Sequence, residues 1–103
     1  MRRGYLGIAG QQRKLDADIK RFLDVSQDNA IEIVVVERGS PAEDGGLQAG
    51  DILIAVNNQP VTRIHDVHRF LSDWPVGQPL NLTIIRALDK INLVVVPIES
   101  PYR

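Results

Sequence analysis

The chain has 103 residues, a net charge of −1 and a hydrophobic fraction of 44%, values typical of one small globular domain with a single core. The balanced charge gives no support for a nucleic-acid or anionic-membrane partner, and no apolar run approaches the roughly 18 residues of a membrane-spanning helix. Because cysteine is absent, the chain has neither a disulfide framework nor a thiolate metal site.

The first predicted element is a short strand over residues 5–9, which the chain enters through a glycine-bracketed apolar turn. Such a turn can aim consecutive backbone N–H groups at one point, and a carboxylate fits that concavity. Residues 11–30 are polar and are predicted to contain one amphipathic helix in a long connection. Its apolar positions, at helical spacing, are Leu15, Ile19, Phe22 and Leu23.

Residues 31–37 and 52–56 are nearly continuous apolar runs rich in β-branched side chains, which is typical of buried strands. Between them, Ser40 is predicted to cap a single helical turn, with Pro41 at the first helical position and Glu43 completing a capping box. After the second run, Asn57-Asn58 predicts a tight turn, because asparagine tolerates positive φ.

A helix is predicted from Thr62, as its N-cap, to Trp74, because Pro75 cannot continue it. At 100° per residue, one apolar arc has His68 at its edge. Its members are Ile64, Val67, Phe70, Leu71 and Trp74. We expect one part of the arc to pack into the core and the other part to border a groove. The core part is Val67, Phe70 and Trp74, and the groove part is Ile64, His68 and Leu71. The alternative is that the whole arc is core.

Residues 80–86 and 91–96 are predicted to pair as a hairpin around a turn at 88–90, and residues 100–103 to form a loose tail. The order is strand, helix, strand, helical turn, strand, helix and two strands. This order predicts a small antiparallel α+β domain.

Several spaced motifs together resemble those of PDZ domains, over about residues 4–97. The motifs are Tyr5-Leu6-Gly7-Ile8, Gly39-Ser40-Pro41-Ala42, Gly46-Leu47-Gln48-Ala49-Gly50-Asp51-Ile52-Leu53 and Asn57-Asn58-Gln59-Pro60-Val61 with the helix after it. The N-terminal turn and the helix-bearing insertion at 11–30 are similar to the PDZ domains that follow the protease domain of bacterial HtrA-type (Deg-type) serine proteases. The resemblance implies a partly open antiparallel β-barrel or sandwich of five to six strands capped by two helices, in the permuted strand order of protease-type PDZ domains.

The resemblance also implies the domain's organisation and partners. Residues 1–103 would be a single domain excised from a larger protein, with a core over 4–97 and a tail over 98–103. It would bind peptide or protein C-termini and exposed apolar segments of unfolded substrates, and would regulate or feed an attached serine protease. The location implied is periplasmic or otherwise extracytoplasmic, without cofactor, nucleic acid or membrane insertion.

The resemblance assigns a binding site residue by residue. The carboxylate-binding turn would be Tyr5, Leu6, Gly7 and Ile8, and the strand edge to which a peptide adds would be Ile8, Ala9 and Gly10. The pocket for the ligand's last side chain would be Leu6, Ile8, Ile64 and Leu71, with His68 at the groove edge and Arg3 as a possible charge near the carboxylate.

One position departs from the family pattern. Many PDZ domains place a histidine at the first groove-facing helix position, where it bonds a Ser or Thr two residues before the ligand's end. Here Ile64 holds that place and His68 lies one turn later. We therefore expect an apolar preference at that ligand position.

Other functions have weaker support in the sequence. The spacing of Gly4, Gly7 and Gly10 fits no nucleotide-binding loop. His65 and His68, with Asp66 pointing away, lack a third metal ligand, and no nucleophile elbow is present. We expect neither a metal site nor catalysis in this chain. Two further readings stay open: a structural docking domain in an oligomer, and a PDZ domain of a membrane metalloprotease or secretion component.

Overall fold

The structure is a computed structural model that describes residues 4–99. Within these residues the strands are β1 (Gly4–Tyr5), β2 (Ile8–Lys14), β3 (Asn29–Val36), β4 (Ile52–Val56), β5 (Gln59–Pro60), β6 (Leu80–Arg86), β7 (Asp89–Val95) and β8 (Ile98–Glu99). The helices are α1 (Ala17–Leu23), α2 (Pro41–Asp44) and α3 (Ile64–Asp73). None of these helices has the length and apolar character needed to span a bilayer.

The strands form one open sheet of six strands and a separate two-stranded pair. The order in the sheet is β2-β3-β4-β6-β7, with β5 attached to β4, and β1 pairs with β8. Every pairing is antiparallel. The predicted antiparallel α+β class is therefore confirmed, and β2 lies at one end of the sheet.

The sheet carries apolar side chains on both faces. In β4, Leu53 belongs to the main core cluster with the helix residue Val67. Its neighbours Ile52 and Ile54 belong to a second cluster with Leu15, close to α1. Because successive strand residues point to opposite faces, the sheet lies between two apolar layers, one with α3 and one with α1.

The segment 11–30 differs from its prediction in two ways. Residues 11–14 continue β2, which pairs with β3 as far as Lys14 opposite Asn29. Phe22 was expected on the buried face, but it is 74% exposed. Because Leu15 precedes the helix, Ile19 and Leu23 alone set the buried face, and Phe22 lies about 80° from its centre at 100° per residue.

The predicted cap of α2 is confirmed, with one change. The Ser40 hydroxyl accepts from the Glu43 N–H at 3.3 Å, and Pro41 opens the helix. The Glu43 carboxylate accepts from the N–H of Gly39 at 3.0 Å, one residue earlier than a capping box requires.

Helix α3 begins one residue later than predicted, because its N-cap is Arg63 and not Thr62. The Asp66 carboxylate accepts the N–H groups of Thr62 at 3.0 Å and Arg63 at 3.2 Å. A carboxylate from the first turn therefore accepts from two N–H groups at the start of the helix, and the Thr62 hydroxyl donates to the same carboxylate at 3.2 Å instead of acting as a cap acceptor.

The β6–β7 hairpin turns at Ala87 and Leu88, both with positive φ (51° and 67°), so β7 begins at Asp89 and not at residue 91. This two-residue turn matches the twist of the strands. Residues 98–99 pair with β1, so the predicted tail begins with two paired residues. Residues 100–103 lie outside the described part of the chain.

Candidate functional site

The turn between β1 and β2 is held by backbone hydrogen bonds to residues 37–42. The Leu6 carbonyl accepts from Ala42 N–H at 3.0 Å, and the Gly7 carbonyl accepts from Glu37 N–H at 2.8 Å. In a trans peptide, the carbonyl and the next N–H point in opposite directions. The N–H groups of Gly7 and Ile8 are therefore directed away from residues 37–42. Two consecutive donors on one side of a turn can bind an anion.

Gly7 is needed at this position for two reasons. Its φ is +83°, a backbone conformation that a side chain disfavours. A β-carbon there would also overlap Ser40 Cβ and lie 2.8 Å from Ser40 Oγ. The Tyr5 hydroxyl donates to the Glu37 carboxylate, which adds a side-chain link between the same two segments.

β2 is an edge strand that lies beside α3. Among the described residues it pairs only with β3, and α3 lies against both β1 and β2. A β-carbon built on Gly10 would lie 2.6 Å from Ile31 Cγ2 and 3.6 Å from Ile64 Cδ1. The close contact with Ile31 disfavours a side chain at Gly10, whereas the distance to Ile64 is an ordinary van der Waals contact. The first turn of α3 thus lies beside the backbone of β2, and strand and helix form two walls.

The predicted pocket residues differ in how much surface they expose. Leu6 and Leu71 are only 2% and 5% exposed and belong to the main core. Ile8 and Ile64 are half-buried and pack against that core. Leu6 and Leu71 therefore form a packed floor, and Ile8 and Ile64 supply the accessible apolar surface.

The remaining predicted residues line the rim or lie elsewhere. Ala9 and His68 are exposed. Arg3 lies outside the described residues, so its expected charge assistance stays a prediction. Within α3, Val67 is buried whereas Phe70 and Trp74 are half-buried against the main core, so the predicted core part of the arc is confirmed.

Asp66 caps the N-terminal end of α3. Its hydrogen bonds, led by the one from the Thr62 N–H, hold the pKa of the Asp66 carboxyl below its ordinary value. His65 and His68 are both exposed. The residues that the sequence suggested as possible metal ligands are thus one capping carboxylate and two surface histidines.

Sequence reasoning missed the ion pair between the buried Asp51 and the half-buried Arg86. The Asp51 carboxylate accepts from Arg86 Nε at 2.9 Å and Nη2 at 2.7 Å, and from the Gln48 N–H at 2.8 Å. Arg86 also donates to the Gly46 carbonyl at 2.8 Å. The Asp51 hydrogen bond raises the pKa of Arg86. The pair fixes the connection between α2 and β4, but its partners lie too far apart in sequence for a local pattern to reveal it.

Sequence reasoning also missed Gln27, a half-buried residue of the α1–β3 connection. Its amide nitrogen lies within hydrogen-bonding distance of three backbone carbonyls, in three different segments. A single glutamine in a polar loop carries no sequence signal for such a role.

The comparisons with known proteins agree with this geometry. The model of the PDZ domain family matches residues 32–86. The chain is 34% identical over 86 residues to a probable periplasmic serine protease do/HhoA-like of Haemophilus influenzae. That match covers 84% of this chain and 18% of the relative. The chain thus spans less than a fifth of the length of that curated relative.

Solved structures confirm the fold. The HtrA-type protease AlgW with a tripeptide has a TM-score of 0.79 at 23% identity, over 100% of this chain and 34% of the other. The HtrA3 PDZ domain bound to a phage-derived ligand has a TM-score of 0.72 at 22% identity, over 97% of this chain and 89% of the other. The second match spans nearly all of an isolated domain, so the arrangement of β2 and α3 belongs to a shared domain fold.

Proposed function

Because this chain belongs to the PDZ domain family, we propose that it is a peptide-binding module that captures free C-termini or exposed apolar segments. The peptide adds to β2 as an antiparallel strand, in the gap between β2 and α3. The observation that carries the proposal is the turn before β2, where the N–H groups of Gly7 and Ile8 point away from the segment that holds the turn. These donors receive the ligand's terminal carboxylate.

The affinity of this site is modest. Hydrogen bonds to a charged acceptor contribute roughly 1.5–3 kcal/mol each, and burying one apolar side chain contributes roughly the same. Since Leu6 and Leu71 are already buried, the ligand's last side chain gains mainly from Ile8 and Ile64. Ordering the peptide offsets much of the sum, so we expect micromolar dissociation constants. Such reversible capture suits a sensor of unfolded chains.

Ile64 makes the site selective for the ligand's antepenultimate residue. It stands at the first groove-facing position of α3 and approaches the backbone of Gly10. It offers no hydrogen bond to a ligand hydroxyl, so an apolar antepenultimate residue is preferred over Ser or Thr. A peptide array that varies only this residue tests the assignment, and a clear preference for Ser or Thr would refute it.

The parent protein is proposed from the relatives. The Haemophilus influenzae relative is named as a periplasmic serine protease. By that likeness, the domain regulates or feeds an attached serine protease in protein quality control of the bacterial periplasm. The chain itself supplies binding and not catalysis.

The test is a fluorescence anisotropy titration with labelled peptides that end in an apolar residue. Amidating the terminus should weaken binding at least about tenfold, since a tenfold change is about 1.4 kcal/mol and even one charged hydrogen bond is worth more. Ile64→Glu should abolish binding, whereas Val94→Glu, a change at an exposed apolar residue of β7, should not. Equal binding of free and amidated peptides would overturn the proposed carboxylate site.

A second candidate function, docking onto a neighbouring subunit, is favoured by a different surface. Val94, Val96 and Ile98 are 55%, 44% and 45% exposed on alternate residues of one segment. They line a cavity of about 360 Å³ together with Pro41. Sedimentation over a range of concentrations tests this candidate: association that Val94→Glu abolishes supports it, and a monomer at all concentrations opposes it.

A further inference from the structure

The amide of Gln27 joins three backbone segments. Its Nε2 lies 3.0 Å from the Asn29 carbonyl, 3.1 Å from the Ile54 carbonyl and 2.9 Å from the Val61 carbonyl. Asn29 begins β3, Ile54 is in the middle of β4, and Val61 is in the connection that leads into α3. The side chain therefore ties the approach to α3 directly to two strands of the sheet.

The link continues from Val61 into the first turn of α3. Val61 is itself buried, and its N–H donates to the Ile54 carbonyl at 3.0 Å. The next residue, Thr62, donates through its N–H and its hydroxyl to the Asp66 carboxylate, at 3.0 Å and 3.2 Å. Since Asp66 belongs to the first turn of α3, the start of the helix moves with Val61. That first turn also carries Ile64.

The other end of α3 has its own anchors. Leu71 is buried in the main core, and Trp74 donates through Nε1 to the Gln78 carbonyl at 3.0 Å. The Trp74 ring packs on Phe70, with 5.7 Å between ring centroids. No partner of Gln27 is among these residues. Loss of the Gln27 amide therefore affects the position of the helix start more than that of the helix end.

Other contacts hold the α1–β3 connection, which carries Gln27, against the sheet. The Leu15 N–H donates to the Asp28 carbonyl at 2.8 Å, and the Lys20 ammonium pairs with the Asp28 carboxylate. Leu15 and Val25 are buried against the outer face of the sheet. The segment between β2 and β3 is thereby held in place on the sheet, and its residue Gln27 contacts the Val61 carbonyl in the approach to α3.

From these contacts we propose that Gln27 is a positioning residue for the groove. It sets the distance between the first turn of α3 and β2 at Ile64, and so sets selectivity for the ligand's antepenultimate residue. This inference rests on the proposed function. The pocket for the ligand's last residue also includes Ile64. Its other residues are Ile8 and the buried floor of Leu6 and Leu71, so selectivity for the last residue depends on Gln27 less than selectivity for the antepenultimate residue does.

The test uses Gln27→Met, which keeps the side-chain length but removes both donors, with Gln78→Met at an exposed glutamine as the matched control. Two ratios of dissociation constants are measured with free-acid peptides. The first is the dissociation constant of the peptide with Ser at the antepenultimate position divided by that of the peptide with Val there. The second is the dissociation constant of the peptide with Ala at the last position divided by that of the peptide with Val there. We expect Gln27→Met to lower the first ratio at least about threefold and to leave the second within about twofold, with no change in Gln78→Met.

A merely structural role gives a different result. If Gln27→Met only lowers the folded fraction, every apparent dissociation constant rises by the same factor and both ratios stay constant. Unchanged ratios, or ratios that fall together, would overturn the inference. Gln27→Asn is the second variant for the case that Gln27→Met does not fold. It retains an amide but shortens its reach by about one C–C bond of ~1.5 Å, and the same split is expected.

Different results would refute the proposed carboxylate site and the proposed role of Gln27. If the unmodified chain binds free and amidated peptides equally, the proposed carboxylate site fails and the inference falls with it. If the unmodified chain requires the carboxylate and selects the antepenultimate residue, but Gln27→Met selects it equally well, only the role of Gln27 is refuted.

Discussion

The contact between Gly7 and Ser40 predicts that Gly7→Ala damages both folding and binding. The substitution adds a β-carbon to a residue with a φ of +83°, and the new atom overlaps the Ser40 side chain. Ser40 has little room to move, because it is 3% exposed and its hydroxyl donates to the Glu37 carbonyl at 2.6 Å. The strain must therefore shift the turn itself, which carries the proposed carboxylate donors.

The size of the effect follows from two contributions. Placing a side chain in the left-handed region costs about 1–2 kcal/mol, of which about 0.4–1 kcal/mol is regained by restricting the unfolded chain. Overpacking against Ser40 adds about 1–3 kcal/mol. We expect a net loss of roughly 1–4.5 kcal/mol of unfolding free energy. A domain of this size has about 5–15 kcal/mol, so the variant stays folded and its peptide binding can be measured.

Gly77→Ala is the matched control, because Gly77 has a φ of +90° and nothing within 4 Å of an added β-carbon. Urea unfolding should show a loss of about 1 kcal/mol or less in Gly77→Ala, since only the backbone contribution applies. Anisotropy titration should show peptide binding weakened at least about tenfold in Gly7→Ala and unchanged in Gly77→Ala. Equal losses of stability in the two variants, with peptide binding intact in both, would refute the importance of the Ser40 contact.

Three further predictions concern stability. Asp51→Ala should lose about 2–4 kcal/mol in urea unfolding, because it leaves Arg86 without its partner, whereas Arg13→Ala, at an exposed pair of 3.5 Å, should lose less than about 1 kcal/mol. Folding lowers the pKa of Asp66, so the contribution of this carboxylate to folding stability is present above its unfolded pKa of about 3.9 and is lost as the pH falls through the lower folded pKa. Asp66→Asn should therefore flatten the acid side of the curve of unfolding free energy against pH. An unchanged slope would contradict this. Leu88→Gly should stabilise the chain by about 1 kcal/mol in thermal unfolding, since Leu88 has a φ of +67° and is exposed; a lower melting temperature would show that Leu88 makes a needed contact.

Much of the fold could be predicted because its signals are local. The strand runs at 31–37 and 52–56 depend on β-branched residues that occur together in the chain. The Ser40 cap depends on residues at most three positions apart, and the Asn57-Asn58 turn was found because asparagine tolerates positive φ. The predicted turn at 88–90 begins one residue and ends two residues later than the observed turn at Ala87 and Leu88, because neither residue type favours positive φ.

The rest could not be predicted, because it depends on contacts between distant segments. Phe22 fits a helical period, and only the extension of β2 pairing to Lys14 and the start of α1 at Ala17 show that Leu15 is not part of that helix. Gln27 contacts backbone carbonyls up to 34 positions away in the chain. Since every residue has a backbone carbonyl, the sequence does not show which of them a glutamine contacts. Gly10 and Ile64 lie side by side, but the burial of Leu6 and Leu71 was not foreseeable: a leucine in a groove and a leucine in a core show the same spacing.

Separate contacts fix the two walls of the groove. This predicts how the affinity losses of variants in the two walls combine. Gly7 is held at residues 37–42, just past the end of β3, while Gln27 bonds Asn29, the first residue of the same strand. If the two ends of this eight-residue strand can shift separately, the two sites are independent, and the losses in peptide affinity of Gly7→Ala and Gln27→Met should multiply to within about twofold in the double variant. A loss much smaller than the product would mean that either change already displaces β3 as a unit. The β-bulge opposite Ala9 and Gly10 argues against this, since it lets one end of the ladder shift without the other.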